Sequence, residues 1–158
     1  MERTELPIAV FDSGLGGTSV LRALVQRLPG EDFLYFGDSA NAPYGVRPVA
    51  EVRRLTQDVI GRLYDRGIKA AVIACNTATA AALPALRETW PDMPIIGVIE
   101  PGSRAACEAS PSGDIAVIAT ESTIRSGAYA EAILRRRPEA QVRSLACPLF
   151  VPLAEEGW

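Results

Sequence analysis

Residues 70–79 read AAVIACNTAT, a short apolar run that leads directly into small and polar residues with helical character. The same passage from strand-like to helix-like sequence recurs along the chain. Strand candidates lie at residues 8–11, 33–36, 70–74, 95–99, 115–119 and 142–146. Helix candidates lie between them at residues 18–27, 48–65, 77–89, 102–109 and 126–136. This alternation is typical of βα units, so we predict an α/β fold with mainly parallel sheets flanked by helices.

One short pattern occurs twice in the chain. AVIAC at residues 71–75 returns as AVIAT at residues 116–120, each time as an apolar strand that enters a polar turn. Buried parallel strands generally resemble one another, so the repeat can reflect their shared chemistry alone. The alternative is two related domains that face each other, with the chain crossing near residues 94–101 and a ligand between the carboxyl ends of the two sheets.

The composition argues against several classes of function. The 158 residues include 16 basic and 19 acidic side chains, a net charge of −3, so we expect no nucleic-acid partner and no anionic membrane partner. No apolar run approaches the roughly 20 residues of a spanning helix, and residues 1–5 do not resemble a secretion signal. A cytoplasmic protein is therefore expected. Three widely spaced cysteines suit neither a disulfide framework nor a zinc site, so no metal is expected.

Two residue types that often carry catalysis are scarce. The chain has no histidine, which removes Ser/His and Cys/His pairs and imidazole metal ligands from these residues. Its only lysine, Lys69, follows residues 66–68 at a turn that enters a strand, where an exposed, charged amine is expected rather than a Schiff base with pyridoxal phosphate. We therefore expect chemistry without a cofactor.

Two polar loops follow predicted strands. DSGLGG at residues 12–17 opens a helix, and its amides can hold an anion, but it lacks the last glycine of a dinucleotide fingerprint and the lysine of a Walker loop. Asp12 would repel a phosphate, whereas it suits a substrate ammonium or a group that loses a proton. A plain helix N-cap is the alternative for Asp12 or Ser13. GDSANAPYG at residues 37–45 is by itself a weak signal, because any turn contains such residues.

Cys75 stands where a predicted strand ends and a helix begins. Amide dipoles at a helix N-terminus stabilise a thiolate, so we predict a Cys75 pKa below that of an ordinary cysteine. Cys75 would then serve as a base and react with iodoacetamide faster than the other cysteines. The alternative is a small buried hydrophobe, the usual fate of a free cysteine. Asn76 and Thr77 add donors suited to a carboxylate.

Four blocks in order resemble the glutamate racemases of the aspartate/glutamate racemase superfamily. They are AVFDSGLGG at residues 9–17, YFGD with PYG within residues 35–45, VIACNTATAA at residues 72–81 and IEPGSRAA at residues 99–106. The resemblance implies two facing α/β domains, residues 1–97 and the first part of a second domain at residues 98–158. It also implies racemisation of L-glutamate to D-glutamate by two cysteines, without a cofactor, to supply D-glutamate for peptidoglycan.

The resemblance assigns roles to individual residues. It makes Cys75 the first catalytic thiol, with Asp12 and Ser13 facing the substrate beside it. Asn76 and Thr77 become ligands of the substrate carboxylate. The remaining substrate-binding positions that it implies are Pro43, Tyr44, Gly45, Thr120 and Thr123. Both threonines are expected to face Cys75 across the cleft.

The family's second catalytic cysteine lies in a Cys-Thr-His segment that these 158 residues do not contain. Cys147, within LACPL, matches a different family segment, and Cys107 falls in a predicted helix. We therefore expect an incomplete second domain, an inactive isolated chain and exposed apolar side chains at residues 148–153. A homodimer stays open, because the sequence does not determine the oligomeric state.

Two alternative functions remain at this point. A racemase of aspartate or hydantoins would share the thiol chemistry, although the PYG and CNT blocks favour glutamate. A noncatalytic module that binds an anion or a nucleotide through its glycine loop belongs to a different class, and Asp12 argues against it.

Overall fold

The computed structural model describes residues 5–157. Six strands and seven α-helices follow one another along that part of the chain. In chain order they are β1 (Ile8–Asp12), α1 (Gly17–Arg27), β2 (Phe33–Gly37), α2 (Val49–Arg66), β3 (Ala70–Ile73), α3 (Asn76–Thr89), β4 (Ile95–Gly97), α4 (Ile99–Ala109), β5 (Asp114–Ala119), α5 (Glu121–Arg125), α6 (Ala128–Arg136), β6 (Gln141–Ala146) and α7 (Phe150–Glu155). The predicted α/β class is confirmed.

The strands form two parallel sheets. The first has the order β2-β1-β3-β4, and the second pairs β5 with β6. In the first sheet Asp12 pairs with Gly37, while Phe11 pairs with Ile73. This register brings the segments that follow β1, β2 and β3 to one edge of the sheet, because the carboxyl ends of parallel strands lie together.

The first sheet is buried on both faces. In β3, Ala71 and Ile73 join the core beneath α2 and α3, whereas Val72 and, directly after the strand end, Ala74 join the cluster against α1. Successive residues of a strand point to opposite faces, so a continuous apolar run is what a doubly covered strand requires. The Val- and Ile-rich pattern of this sequence therefore has a direct structural reason.

Three element boundaries differ from the sequence prediction by two residues or more. The strand predicted at residues 95–99 ends at Gly97, and α4 begins at Ile99 instead of residue 102. Pro101 falls in the first turn of α4, where a missing N–H breaks no helical hydrogen bond. The helix predicted at residues 126–136 begins only at Ala128, because Gly127 adopts a φ of 69° and separates α6 from α5. Neither α5 nor α7 was predicted.

The second sheet is covered on one face. Ile115 and Val117 pack with Ile133 and the neighbouring helices. On the other face Ile118 and Leu145 are 58% and 64% exposed. The apolar side chains expected to be exposed near the end of the chain are exposed at Leu149, Phe150 and Leu153. Across residues 5–157, no helix combines the length and apolar character needed to cross a membrane.

Candidate active site

A cavity of about 640 Å³ opens at the carboxyl edge of the first sheet. We call it the cleft. Nine of the ten predicted site residues line it: Asp12, Ser13, Pro43, Tyr44, Gly45, Cys75, Asn76, Thr77 and Thr120. The tenth, Thr123, is buried beside it and contacts two of the lining threonines. The tertiary structure thus brings together residues from three strand ends of the first sheet and from the turn after β5.

Asp12, the last residue of β1, is only 7% exposed. Its Oδ2 accepts hydrogen bonds from the backbone N–H groups of Gly14 and Gly17, both at 3.1 Å. A carboxylate at the start of a helix is stabilised by these amides and by the helix dipole. The same amides are therefore taken up by Asp12, which makes the loop a poor cradle for a phosphate.

Cys75 caps the N-terminus of α3, as the sequence predicts. Its sulfur accepts a hydrogen bond from the Ala78 N–H at 3.4 Å, and the Ser13 hydroxyl lies 3.4 Å away. The side chain is nevertheless buried, with 6% of the residue exposed. The polar contacts lower the pKa of this thiol, whereas burial raises it.

The predicted direction of the Cys75 pKa shift is wrong. Burial raises the pKa of the Cys75 thiol above its usual value, and the nearby charge of Asp12 raises it further. The hydrogen bonds with Ser13 and Ala78 lower the pKa but do not outweigh burial. The free-energy cost of removing a thiolate from water exceeds the stabilisation that two weak hydrogen bonds and the helix dipole provide. The thiol is therefore protonated at neutral pH.

The loop between β2 and α2 is organised around Asp38. The Tyr44 hydroxyl donates to Asp38 Oδ2 at 2.6 Å, and Asn41 Nδ2 donates to both carboxylate oxygens at 3.0 Å. Burial and the Asp38 carboxylate raise the pKa of Tyr44, so its hydroxyl remains a donor. Asp38 thereby anchors the segment that carries Pro43 and Gly45 into the cleft. Sequence reasoning quoted Asp38 within a motif but assigned it no role.

Three threonine hydroxyls meet between the two sheets. Thr77 Oγ1 lies 3.0 Å from Thr120 Oγ1 and 3.2 Å from Thr123 Oγ1, and the latter two are 3.0 Å apart. Thr120 also caps α5 by accepting from the Thr123 N–H. Of the two threonines predicted to face Cys75, Thr120 lines the same cleft as that thiol, whereas Thr123 is buried beside the cleft. The hydroxyls of both threonines bond to Thr77 and join α3 to α5.

Sequence reasoning also assigned no role to several other residues of the cleft lining, among them Tyr129 from α6 and Glu155 from α7. The Tyr129 hydroxyl donates to Asn76 Oδ1 at 2.7 Å. Each is a single residue in a short helix, and nothing in its local sequence marks it as part of a site. Among residues 5–157, no group of three or more His, Cys, Asp or Glu side chains is arranged to hold a metal.

Comparisons with known proteins agree with this geometry. The family model for Asp/Glu/hydantoin racemases matches residues 8–151. A glutamate racemase of Geobacter metallireducens is 53% identical over 151 residues, covering 96% of this chain and 56% of that protein. The crystal structure of a Francisella tularensis glutamate racemase in complex with D-glutamate superimposes with a TM-score of 0.91 at 40% identity, covering 98% of this chain and 57% of that one.

A second solved structure, glutamate racemase isoform RacE1 from Bacillus anthracis, also gives a TM-score of 0.91, at 41% identity. It is matched over 95% of this chain and 56% of its own length. The chain thus spans little more than half the length of the relatives that it matches. With the family model covering residues 8–151, both sheets and all ten predicted site residues lie within the matched region, and the chain belongs to the Asp/Glu/hydantoin racemase family.

Proposed function

We propose that this chain forms one half-site of a glutamate racemase, in which Cys75 exchanges the α proton of the substrate. The observation that carries the proposal is the position of the Cys75 sulfur, in the lining of the cleft beside Ser13 and Asp12. The complex of the Francisella tularensis relative with D-glutamate supports glutamate as the ligand.

The charges around Cys75 suit an amino-acid substrate. Asp12 provides a buried carboxylate that attracts the α-ammonium group. A cation bound between Asp12 and Cys75 offsets the Asp12 charge and favours the thiolate. Substrate binding would thereby convert a protonated thiol into a base only when there is an α proton to remove. In the opposite direction the thiol donates its proton to the α carbon.

The donors that suit the substrate carboxylates lie on the neighbouring wall. Asn76 and Thr77 begin α3, and Thr120 reaches the cleft from the other sheet. Pro43, Tyr44 and Gly45 would close the cleft above the bound amino acid. These roles follow from placement in one cavity and from the chemistry of each side chain.

Inversion at the α carbon requires a base on one face and an acid on the other. Within residues 5–157, the other two thiols contact backbone carbonyls elsewhere, Cys107 at Ile133 (4.0 Å) and Cys147 at Leu145 (3.9 Å), and neither lines the cleft. We propose that the opposing acid comes from outside this half-site. Residues 1–97 and 98–158 would then belong to two facing domains, a division that the separate sheets support.

The proposed physiological role is the supply of D-glutamate for peptidoglycan in the cytoplasm, by a mechanism that uses no cofactor. Aspartate and hydantoin remain the alternative substrates within the family. A nucleotide-binding module is disfavoured, because Asp12 already occupies the Gly14 and Gly17 amides.

Ligand titration followed by thermal unfolding tests the proposal. D-Glutamate should raise the unfolding midpoint by roughly 5–10 °C when present at about 100 times its Kd, whereas ADP should not. Asp12→Asn should abolish the shift, and Asp58→Asn, a change in an exposed ion pair of α2, should preserve it. Stabilisation by ADP but not by glutamate or aspartate would overturn the proposal.

A further inference from the structure

Tyr129 reaches the cleft from the part of the chain that carries the second sheet. Its hydroxyl donates to Asn76 Oδ1 at 2.7 Å, although 53 positions separate the two residues. Asn76 is the first residue of α3 and directly follows Cys75. Tyr129 and Asn76 both line the cleft. The contact therefore connects α6 to a side chain at the centre of the proposed substrate site.

The Tyr129 ring is held in place from its own side. It packs against the cluster that contains Ile115, Val117 and Ile133. It also lies over Gly102 in α4, where an added Cβ would stand 3.1 Å from the phenol oxygen and 3.3 Å from Cε1. The glycine thus leaves the space that the ring occupies. Burial raises the pKa of Tyr129, so the phenol keeps its proton and acts as a donor at neutral pH.

The direction of this hydrogen bond determines what Asn76 presents. An amide side chain has an acceptor end, the carbonyl oxygen, and a donor end, the NH2 group. Because the phenol donates to Oδ1, the Nδ2 group is the end left for a ligand. Among residues 5–157, no group accepts a hydrogen bond from Asn76 Nδ2. Rotation of the amide by half a turn would direct the carbonyl oxygen at an anion and repel it.

We propose that Tyr129 is a positioning residue, which holds the Asn76 amide with its NH2 group toward the substrate carboxylate. The inference rests on the proposed function, since it assumes that the cleft binds an amino-acid carboxylate. Tyr129 acts through Asn76, and its hydroxyl needs no contact with the substrate.

Tyr129→Phe tests the proposal, because it removes the hydroxyl and retains the ring over Gly102. In the ligand-free 158-residue chain, the side-chain NH2 resonances of Asn76 should shift and broaden in ¹H–¹⁵N spectra. The side-chain amide of Asn41, held by Asp38, is an internal control and should not change. D-Glutamate should bind about fivefold more weakly, as expected for one lost hydrogen bond.

Two further variants separate positioning from a general structural effect. Tyr64→Phe, at a 47% exposed tyrosine of α2, should leave both readouts unchanged. In an Asn76→Ala background, Tyr129→Phe should cause no further loss of D-glutamate affinity, because its effect passes through the missing amide. If Tyr129→Phe does not fold, Gly102→Ala displaces the intact ring and should change the Asn76 resonances and the affinity in the same direction.

The outcomes distinguish the two proposals. A wild-type chain that fails to bind D-glutamate overturns the proposed function and, with it, this role of Tyr129. If the wild-type chain binds D-glutamate and neither Tyr129→Phe nor Gly102→Ala changes that affinity, only the positioning role of Tyr129 is overturned. A loss of affinity with unchanged Asn76 resonances also overturns it, since Tyr129 would then act directly on the ligand or on the fold.

Discussion

The hydroxyl oxygen of Ser13 lies 3.4 Å from the sulfur of Cys75. This contact joins the loop after β1 to the first turn of α3 and gives the thiol one of its few polar neighbours. It does not compensate for burial, which raises the pKa of Cys75. The resting half-site therefore holds a protonated thiol beside a carboxylate, and its reactivity should depend on what enters the cleft.

We expect Cys75 to be the slowest of the three cysteines to react with iodoacetamide in the native chain near neutral pH. Only the thiolate is nucleophilic, and Cys75 is both protonated and 6% exposed, whereas Cys107 and Cys147 are partly exposed. Mass spectrometry of the alkylated peptides gives the order. In denaturant the three rates should converge. Modification of Cys75 first in the native protein would contradict the raised pKa.

The stability of the chain should fall with increasing pH in the alkaline range, in part because of Cys75. In the unfolded chain this thiol loses its proton near its ordinary pKa of about 8.5, while the folded state retains it. The folded state is thus favoured fully below that pH and progressively less above it, up to the raised pKa of the folded state.

Cys75→Ser removes this group with little change in size, so its free energy of unfolding should decline less steeply above about pH 8.5. Urea unfolding of both proteins at several pH values measures the difference. The pKa of Tyr35 is raised to about 12 by burial and by the nearby charges of Asp12 and Cys75. Tyr35 therefore contributes to the pH dependence of the free energy of unfolding only at higher pH. Parallel pH curves for the two proteins between about pH 8 and pH 10 would refute the prediction.

Gly45→Ala should destabilise the chain by about 1–3 kcal/mol, because an added Cβ would lie 2.8 Å from Thr120 Cβ and Cγ2. Thr120 is tied to Thr77 and Thr123 and cannot retreat without breaking those hydrogen bonds. Gly30→Ala is the matched control, since an added Cβ there meets nothing within 4 Å. Denaturant unfolding measures the free energy of unfolding of both variants. Equal values would contradict the prediction, because they would show that the loop accommodates the added Cβ without cost.

The isolated 158-residue chain should not interconvert D- and L-glutamate, although it carries the Cys75 half-site. Within residues 5–157, neither remaining thiol lines the cleft, so the opposite face of the substrate has no cysteine acid. Chiral chromatography of the reaction mixture measures the rate. Activity that disappears on Cys147→Ser, with contaminating longer enzyme excluded by mass, would identify Cys147 as the second base and refute this prediction.

The order of strands and helices was predictable because it depends on local hydrophobic periodicity. The meeting of Asp12, Tyr44 and Cys75 in one cavity was predictable as well. Asp12 ends a strand of one parallel sheet, Tyr44 and Cys75 follow strands of the same sheet, and such strands end at a shared edge. The exact boundaries of elements were less predictable, as at the end of β4 (Gly97) and the start of α4 (Ile99). Both a strand and a helix suit that short apolar run, and packing decides between them.

By itself, then, the sequence determined the fold class and the set of reactive side chains, which are encoded by near neighbours along the chain. Only the tertiary structure decided how those side chains behave. The position of Cys75 at a helix start predicted a lowered pKa, but burial by distant segments reverses the shift. Likewise Thr120 bonds to Thr77 and Tyr129 orients toward Asn76 across 43 and 53 positions. Desolvation and hydrogen-bond partners are set by residues that are near in space, and local sequence holds no signal for them.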